Sequence, residues 1–169
     1  KGFGFHPLAV EDCRHQDQRS KVEEYNAHLF VVLHTYALSA ARADPAADLV
    51  RAHELHIFLT ADRVVTVHAE PLPALDRVWQ RSLRGDKATC IGPGSILHAL
   101  ADEMVDQMFP VMDELDGELE DLHGALLSPR PDRALLARIL RIKQAVREMR
   151  RLVGPVRDVL VALNKSPPP

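Results

Sequence analysis

The sequence is poor in several features that mark particular classes of protein. Only 5% of its 169 residues are aromatic, and it contains two cysteines, Cys13 and Cys90. Two distant cysteines cannot form the dense disulfide framework of a small secreted domain, so we expect idle thiols in a reducing compartment. The net charge of −3 argues against a general nucleic-acid binder, because such a protein needs a strong positive field.

Long hydrophobic runs and glycine-rich loops are also missing from the sequence. The best apolar run is LFVVL at residues 29–33, which is the length of a strand and far short of the ~20 residues of a membrane-spanning helix. Neither a signal peptide, a phosphate-binding loop nor a G-x-S-x-G motif is visible. We therefore expect a soluble piece of chain that is not an enzyme.

Three strands are predicted in the first half of the chain. Residues 25–38 are rich in β-branched and aromatic side chains and have the continuous apolar centre of a strand covered on both faces. Residues 52–60 and 63–69 are two further strands, and the short turn between them at residues 61–62 predicts an antiparallel hairpin.

Two helices are predicted to accompany these strands. Pro7 fits the first turn of a helix over residues 7–15, where its missing N–H costs nothing. Residues 71–85 open with prolines and end at Gly85, which is typical of a helix with a glycine stop. Residues 1–91 therefore form a mixed α+β module.

The second half of the chain, residues 92–169, predicts two long helices. Between residues 95 and 127, apolar side chains recur in steps of three or four, as on one face of a helix. Pro110 lies inside this stretch and should bend the helix or leave a backbone acceptor unpaired. The apolar positions are Leu97, Ala101, Met104, Met108, Met112, Leu115, Leu119, Leu122 and Leu126. The segment SPRPD then breaks the chain.

The last segment has the most regular pattern in the protein. Its apolar residues alternate in steps of four and three, which is the heptad seam of a helix that packs along another helix. The residues Gly154 and Pro155 should kink this helix near its end. The seam consists of Leu135, Ile139, Ile142, Val146, Met149, Val153, Val156, Leu160 and Leu163.

The charges are segregated between these two helices. Residues 102–121 carry nine acidic side chains and no Lys or Arg, whereas residues 130–157 carry nine basic side chains against two acids. An acidic helix, a tight turn and a basic helix predict an antiparallel hairpin whose flanks attract each other. Each exposed ion pair contributes only ~0–1 kcal/mol, so the apolar seam should supply most of the stability.

Several candidate chemical sites have a more ordinary explanation. In HELH, His53 and His56 are three apart on a strand and point to opposite faces, so they are poor co-ligands for zinc. Cys13 and His15 are two apart on a predicted helix and diverge. The acidic helix could bind hard cations such as Mg²⁺. The spacing alone favours the simpler interpretation, a solvated acidic face that meets a basic partner helix.

Taken in order, the motifs of the chain resemble a known family. FHPLAVEDCRHQ, KVEEYNAHLFVVLHT and VVTVH are similar to the cytosolic N-terminal domain of CorA-like divalent metal ion transporters, and the two long helical segments are similar to the helices that follow it. The zinc-transporting ZntB branch shares this architecture. The resemblance implies an α/β/α sandwich that carries a long antiparallel helical hairpin.

The resemblance also implies what surrounds such a domain. In the family, the hairpin leads to a stalk helix and to two membrane helices with a Gly-Met-Asn motif, and five chains form a funnel that takes up Mg²⁺ and Co²⁺. The sequence ends at SPPP without stalk or pore. We expect it to be the sensing and assembly part, on the cytoplasmic side of the membrane in the full-length homopentamer and a monomer or dimer by itself.

Three carboxylates are candidate metal ligands on the basis of this resemblance. The second acid of the HPL-x-x-ED segment, Asp12, corresponds to a regulatory site between neighbouring subunits. Glu11 and an acid early in the first long helix, Asp102, correspond to a second interface site. Bound Mg²⁺ or Co²⁺ is expected to hold the ring closed, and its loss to let the carboxylates repel and the subunits loosen.

Three alternatives remain open at the level of sequence. Zn²⁺ transport cannot be separated from Mg²⁺ and Co²⁺ uptake, because selectivity lies largely in the pore. A metal-independent adaptor would dock a partner helix on the acidic and basic hairpin. A metal-dependent hydrolase needs converging ligands with an open position, and this sequence offers no His/Asp cluster at helical spacing.

Overall fold

The sheet of the protein is a four-stranded antiparallel meander. A computed structural model describes residues 3–15, 18–44, 46–127 and 134–165. The strands are β1 (Lys21–Tyr25), β2 (His28–Leu38), β3 (Val50–Leu59) and β4 (Val64–Val67), and they hydrogen-bond in that order. All three pairings are antiparallel, which confirms the predicted hairpin between β3 and β4.

Six helices accompany the sheet in the described residues. They are α1 (Pro7–Asp12), α2 (Pro73–Leu83), α3 (Lys87–Cys90), α4 (Pro93–Asp106), α5 (Phe109–Leu126) and α6 (Leu135–Lys165). The predicted glycine stop after α2 is present: Gly85 has a φ of 71°, which is the left-handed conformation that favours glycine. None of these helices combines the length and the apolar character that crossing a bilayer requires.

The sheet is covered on both faces, which confirms the predicted α+β sandwich. On one face, Phe30, Val32 and Phe58 pack against Ala9 of α1. On the other face, the alternate residues of β2 and β3 pack against α2, α4 and the C-terminal half of α6. Central strands covered on both sides need continuous apolar runs, which explains LFVVL at the centre of β2.

The first strand was not predicted from the sequence. Residues 25–38 were predicted as one strand, but Tyr25 ends β1 and pairs with His28 across a two-residue turn. The charged sequence KVEEY carries little hydrophobic signal, because its side chains are only partly buried at the edge of the sheet. The pairing with β2 therefore decides that this segment is a strand.

Pro110 separates two helices rather than bending one. α4 ends at Asp106 and α5 begins at Phe109, with Pro110 in the first turn of α5, where a missing N–H is tolerated. The predicted kink site in the last helix behaves differently, because α6 runs through Pro155 to Lys165. The predicted breaks at SPRPD and SPPP lie outside the described residues.

The two long helices form the predicted hairpin at one end of the sheet. Val111 and Leu115 of α5 share a buried cluster with Ile142 and Ala145 of α6 and with Tyr36 of the sheet. Of the attractions predicted between the acidic and basic flanks, the described residues show one across the hairpin, from Arg138 to Glu118 at 3.2 Å. Apolar contacts therefore dominate this packing.

Candidate functional site

The helix that carries the predicted acid pair is short and firmly anchored. His6 caps it by accepting a hydrogen bond from the backbone N–H two residues later (3.3 Å), and Pro7 occupies its first turn. Ala9 is fully buried against the sheet. This contact fixes the rotation of the helix, so Glu11 is left exposed to solvent and Asp12 is half-buried at its base.

Asp12 is not a free carboxylate in this fold. The ammonium group of Lys21 lies 2.6 Å from a carboxylate oxygen of Asp12 and 2.6 Å from one of Glu23, which also accepts a hydrogen bond from the hydroxyl of Tyr25. Burial alone would lower the pKa of Lys21, but its hydrogen bonds to the two carboxylates outweigh burial and raise that pKa. Lys21 therefore holds the position of a cation between two acids.

The third predicted ligand, Asp102, lies elsewhere on the molecule. It is exposed on α4, at the rim of an apolar groove between α4 and the C-terminal end of α6. Because α1 and α4 cover opposite faces of the sheet, the chain does not bring Glu11 or Asp12 together with Asp102. A site that uses both sets of acids needs two chains.

A buried polar cluster that the sequence did not predict lies beside α1. One carboxylate oxygen of Glu54 is 2.7 Å from Nε2 of His56, and the other is 3.5 Å from Nε2 of His34. Ser20 and Nδ1 of His34 are hydrogen-bonded at 2.8 Å, and the backbone N–H of Gln18 donates to Glu54. The angle at the shorter contact leaves Oε1 of Glu54 and Nε2 of His56 without a well-formed hydrogen bond.

The charge on Glu54 is stabilised by its two histidine neighbours. Burial would raise the pKa of this carboxyl group, but the nearby imidazole groups of His34 and His56 outweigh burial and hold the pKa at about 2. The cluster lines one end of a polar cavity of about 220 Å³. Its geometry suits a buried ionised carboxylate that links two strands to the loop before β1.

The cluster exists because of strand register, which the sequence alone does not reveal. His34 lies directly opposite Glu54, and Val32 opposite His56. Directly opposed side chains point to the same face of a sheet, so residues that are 20 or more positions apart converge there. The helpful signal would have been a polar residue at an alternate position in each of two strands that are otherwise apolar.

The remaining candidates from the sequence have structural partners. The Cys13 thiol lies against a backbone carbonyl of its own helix, 3.3 Å away, and burial together with the charges of Asp12 and Glu54 raises its pKa to about 11. His53 approaches Glu70 at 3.5 Å and lines the same cavity as the cluster around His56. Within the part of the chain that the structure describes, no group of three or more His, Cys, Asp or Glu side chains is placed to hold a metal ion.

Comparisons with known proteins agree along the whole chain. The model of a family described as CorA-like Mg²⁺ transporter protein matches residues 1–168. The chain is 29% identical over 161 residues to the putative metal ion transporter YfjQ of Bacillus subtilis, covering 94% of this chain and 46% of that protein. It is 27% identical over 169 residues to the cobalt/magnesium transport protein CorA of Thermotoga maritima, covering 99% and 46%. The chain thus spans about half the length of these relatives.

Solved structures show the same fold. The complete structure of the CorA magnesium transporter from Methanocaldococcus jannaschii matches with a TM-score of 0.79 at 20% identity, over 98% of this chain and 50% of that chain. The soluble domain of the same transporter matches with a TM-score of 0.73 at 22% identity, over 91% and 60%. Identities this low show that the sandwich and the helical hairpin are shared, and leave the roles of single residues to be argued from this chain.

Proposed function

This chain belongs to the family of CorA-like Mg²⁺ transporter proteins, and on this premise we propose that it is the cation-sensing and assembly domain of a divalent-cation transporter. The observation that supports this function most directly is the placement of the acids. Glu11 and Asp12 lie on one face of the molecule and Asp102 lies on the opposite face. Such half-sites become complete only where two copies of the chain meet.

The donor set suits a hard divalent cation. Mg²⁺ takes oxygen ligands and keeps several of its waters, so one or two carboxylates from each chain suffice. Co²⁺ is the second ion proposed, because a relative of this chain is named a cobalt/magnesium transport protein. Zn²⁺ prefers nitrogen and sulfur ligands, which Glu11, Asp12 and Asp102 do not offer.

Lys21 would set the threshold of the sensor. A cation that binds Asp12 has to compete with an ammonium group that is already 2.6 Å from it, so the apparent affinity for the cation is reduced. A weak site is suitable for sensing an abundant ion such as Mg²⁺. When the cation dissociates, Lys21 still neutralises Asp12 within its own chain, whereas Glu11 regains an unshielded charge at the interface.

The proposed assembly is a homopentamer whose pore lies in the part of the relatives that this chain does not cover. Bound cations at the interfaces would hold the domains together and the pore closed. Their loss would leave carboxylates facing each other across the interfaces and allow the subunits to separate. The domain would lie on the cytoplasmic side of the membrane and sense the transported ion there.

Replacing Asp12 with asparagine should weaken Mg²⁺-dependent association of this chain. We expect the variant to require roughly tenfold more Mg²⁺ for the same association, since loss of one charged ligand costs on the order of 1.4 kcal/mol. Lys21→Met should shift the requirement in the opposite direction, because it removes the competing ammonium group. Sedimentation velocity over a Mg²⁺ titration that starts in EDTA measures both effects.

The matched control is Asp121→Asn, which removes the same charge from an exposed position on α5. It should leave the Mg²⁺ dependence unchanged, because general screening of acidic surfaces does not depend on one position. The proposal would be wrong if Asp121→Asn and Asp12→Asn behaved alike. It would also be wrong if Mg²⁺ had no effect on the association of the parent chain at any concentration.

A further inference from the structure

Only half of the apolar seam of the helical hairpin is buried. Alternate members of each heptad pattern face the interior, among them Leu115 and Leu122 of α5 and Leu135 and Ile142 of α6. The intervening members are between 38% and 51% exposed. They form two exposed rows, Met112, Leu119 and Leu126 on α5 and Ile139, Val146 and Val153 on α6.

The two exposed rows lie on the same side of the hairpin. In both helices the exposed row follows the buried row by four residues, a rotation of about 40° in the same sense about the helix axis. In helices that run antiparallel, the same sense of rotation leads to the same side. The ion pair between Arg138 and Glu118 shows how α5 and α6 are aligned along their axes. This alignment places Leu119 beside Ile139 and Met112 beside Val146.

The sheet lies on the other side of the hairpin. Val111 of α5 and Ala145 and Leu152 of α6 are rotated in the opposite sense from the buried rows, and they pack with Leu49 and Tyr36. The exposed rows therefore form an apolar groove that faces away from the domain. The groove is about 21 Å long, from Met112 to Leu126.

The walls of this groove carry opposite charges. On the α5 side, Asp113, Asp116 and Glu120 are exposed, and on the α6 side, Lys143 and Arg150 each follow a member of the exposed row by four residues. None of these five side chains has an ion-pair partner among the described residues. One acidic and one basic rim are therefore free to pair with a charged ligand.

We propose that this groove binds one amphipathic α-helix that has a heptad apolar seam, a basic flank towards α5 and an acidic flank towards α6. Two packed antiparallel helices leave a groove along their line of contact, and a third helix that lies in it can place its apolar seam against both exposed rows. The helix would be supplied by a partner protein, and the inference does not depend on the proposed function. The chemistry of the groove rests on the hairpin alone.

Three helical peptides with one apolar seam and about 21 residues each test the groove, in buffer with EDTA. One peptide has a Lys flank and a Glu flank, the second has Glu on both flanks, and the third has Lys on both. We expect the mixed peptide to bind about tenfold more tightly than either uniform peptide, since each uniform peptide is repelled by one wall. Fluorescence anisotropy of labelled peptide measures the binding.

Variants of the chain test whether the peptide binds in this groove and not elsewhere on the surface. Val146→Glu, within the exposed row, should abolish binding of the mixed peptide. Leu140→Glu, at a position of α6 that is 53% exposed but outside the row, should leave binding unchanged. The double variant Lys143→Glu and Arg150→Glu makes both walls acidic, so preference should switch from the mixed peptide to the peptide with Lys on both flanks. Circular dichroism confirms that each variant folds.

Two outcomes would overturn the proposal. The first is equal binding of the mixed peptide by Val146→Glu and by the parent chain. The second is a dimer that Val146→Glu converts to monomer and Leu140→Glu does not, because a second copy of the chain would then occupy the groove. Failure of Mg²⁺ to promote association would contradict the proposed function and leave the peptide result unaffected, since the peptide assay contains no divalent cation.

Discussion

Replacing Glu54 with glutamine is expected to lower the free energy of unfolding by about 3 kcal/mol at pH 7. The carboxylate is largely buried between His34 and His56, and removal of one partner from a buried charged cluster typically costs 3–5 kcal/mol. Because glutamine keeps the shape of the side chain, the loss of unfolding free energy measures the effect of the charge and not of a cavity. Urea denaturation of the parent chain and the variant measures the difference.

The effect should depend on pH in a defined direction. The pKa of Glu54 is lowered from an ordinary value of 4.5 to about 2 in the folded chain, so the carboxylate stabilises the fold above pH 4.5. That stabilisation is lost as the pH falls from 4.5 to about 2, and the whole change corresponds to about 3 kcal/mol. The difference between the parent chain and Glu54→Gln should therefore shrink across this interval.

Glu70→Gln is a control that separates the effect of burial on stability from the effect of ion pairing. Glu70 also contacts a histidine and an arginine, but its side chain is 40% exposed. Glu70→Gln should therefore cost less than about 1 kcal/mol, as is usual for exposed ion pairs. A loss in Glu54→Gln that stayed constant from pH 7 to pH 2 would contradict the electrostatic explanation and indicate a packing defect.

Tyr36→Ala should have the largest effect of any substitution considered for this protein, a loss of about 3–5 kcal/mol. Tyr36 is fully buried and is the largest such side chain in the described part of the chain. Its ring joins the end of β2 to the cluster between α5 and α6, and its hydroxyl donates a hydrogen bond to the backbone carbonyl of Met149. The variant removes both of these contacts between the sheet and the hairpin.

Tyr36→Phe isolates the contribution of the hydroxyl group. It keeps the ring and removes one hydrogen bond, so we expect a loss of about 1 kcal/mol. Trp79→Ala removes an aromatic side chain that is 62% exposed on α2 and should cost much less than Tyr36→Ala.

Amide hydrogen exchange along α6 gives a second measurement of the same connection. Tyr36→Ala should accelerate exchange in the N-terminal half of α6 more than in the C-terminal half, which packs on the sheet through Val156 and Val159. Uniform acceleration along α6 would show that Tyr36 supports the whole domain rather than the hairpin. Unchanged exchange would contradict the proposed connection.

Much of the fold can be predicted from local sequence patterns. The short turn between β3 and β4, the apolar centre of β2 and the heptad spacing of α6 each predict an element from residues that are close in the chain. Proline and glycine mark the ends of α1 and α2 for the same reason, since their effects are confined to their own backbone. Elements with weak local signals were missed, as β1 shows.

The candidate site could be predicted only in part. The acids Glu11 and Asp12 were singled out by family resemblance, and the sequence contains Lys21 only nine residues from Asp12. Their ion pair depends on β1 being a strand at the edge of the sheet, which local pattern does not indicate. The convergence of His34, Glu54 and His56 likewise depends on the register of β2 against β3.

The sequence by itself determined the α+β class, the segregation of acidic and basic helical segments, and the proline-marked starts of α1 and α2. The tertiary structure alone decided which face each element presents. The heptad seam of α6 is the clearest case, because spacing predicts that nine residues share a stripe but cannot say which edge of the stripe faces the sheet. Contacts with Tyr36 and Leu49 rotate the helices towards the domain and leave Val146 and Leu119 exposed. The rotation of a helix about its axis and the register between two strands depend on packing between residues that are distant in the chain. Local sequence patterns therefore cannot predict either of them.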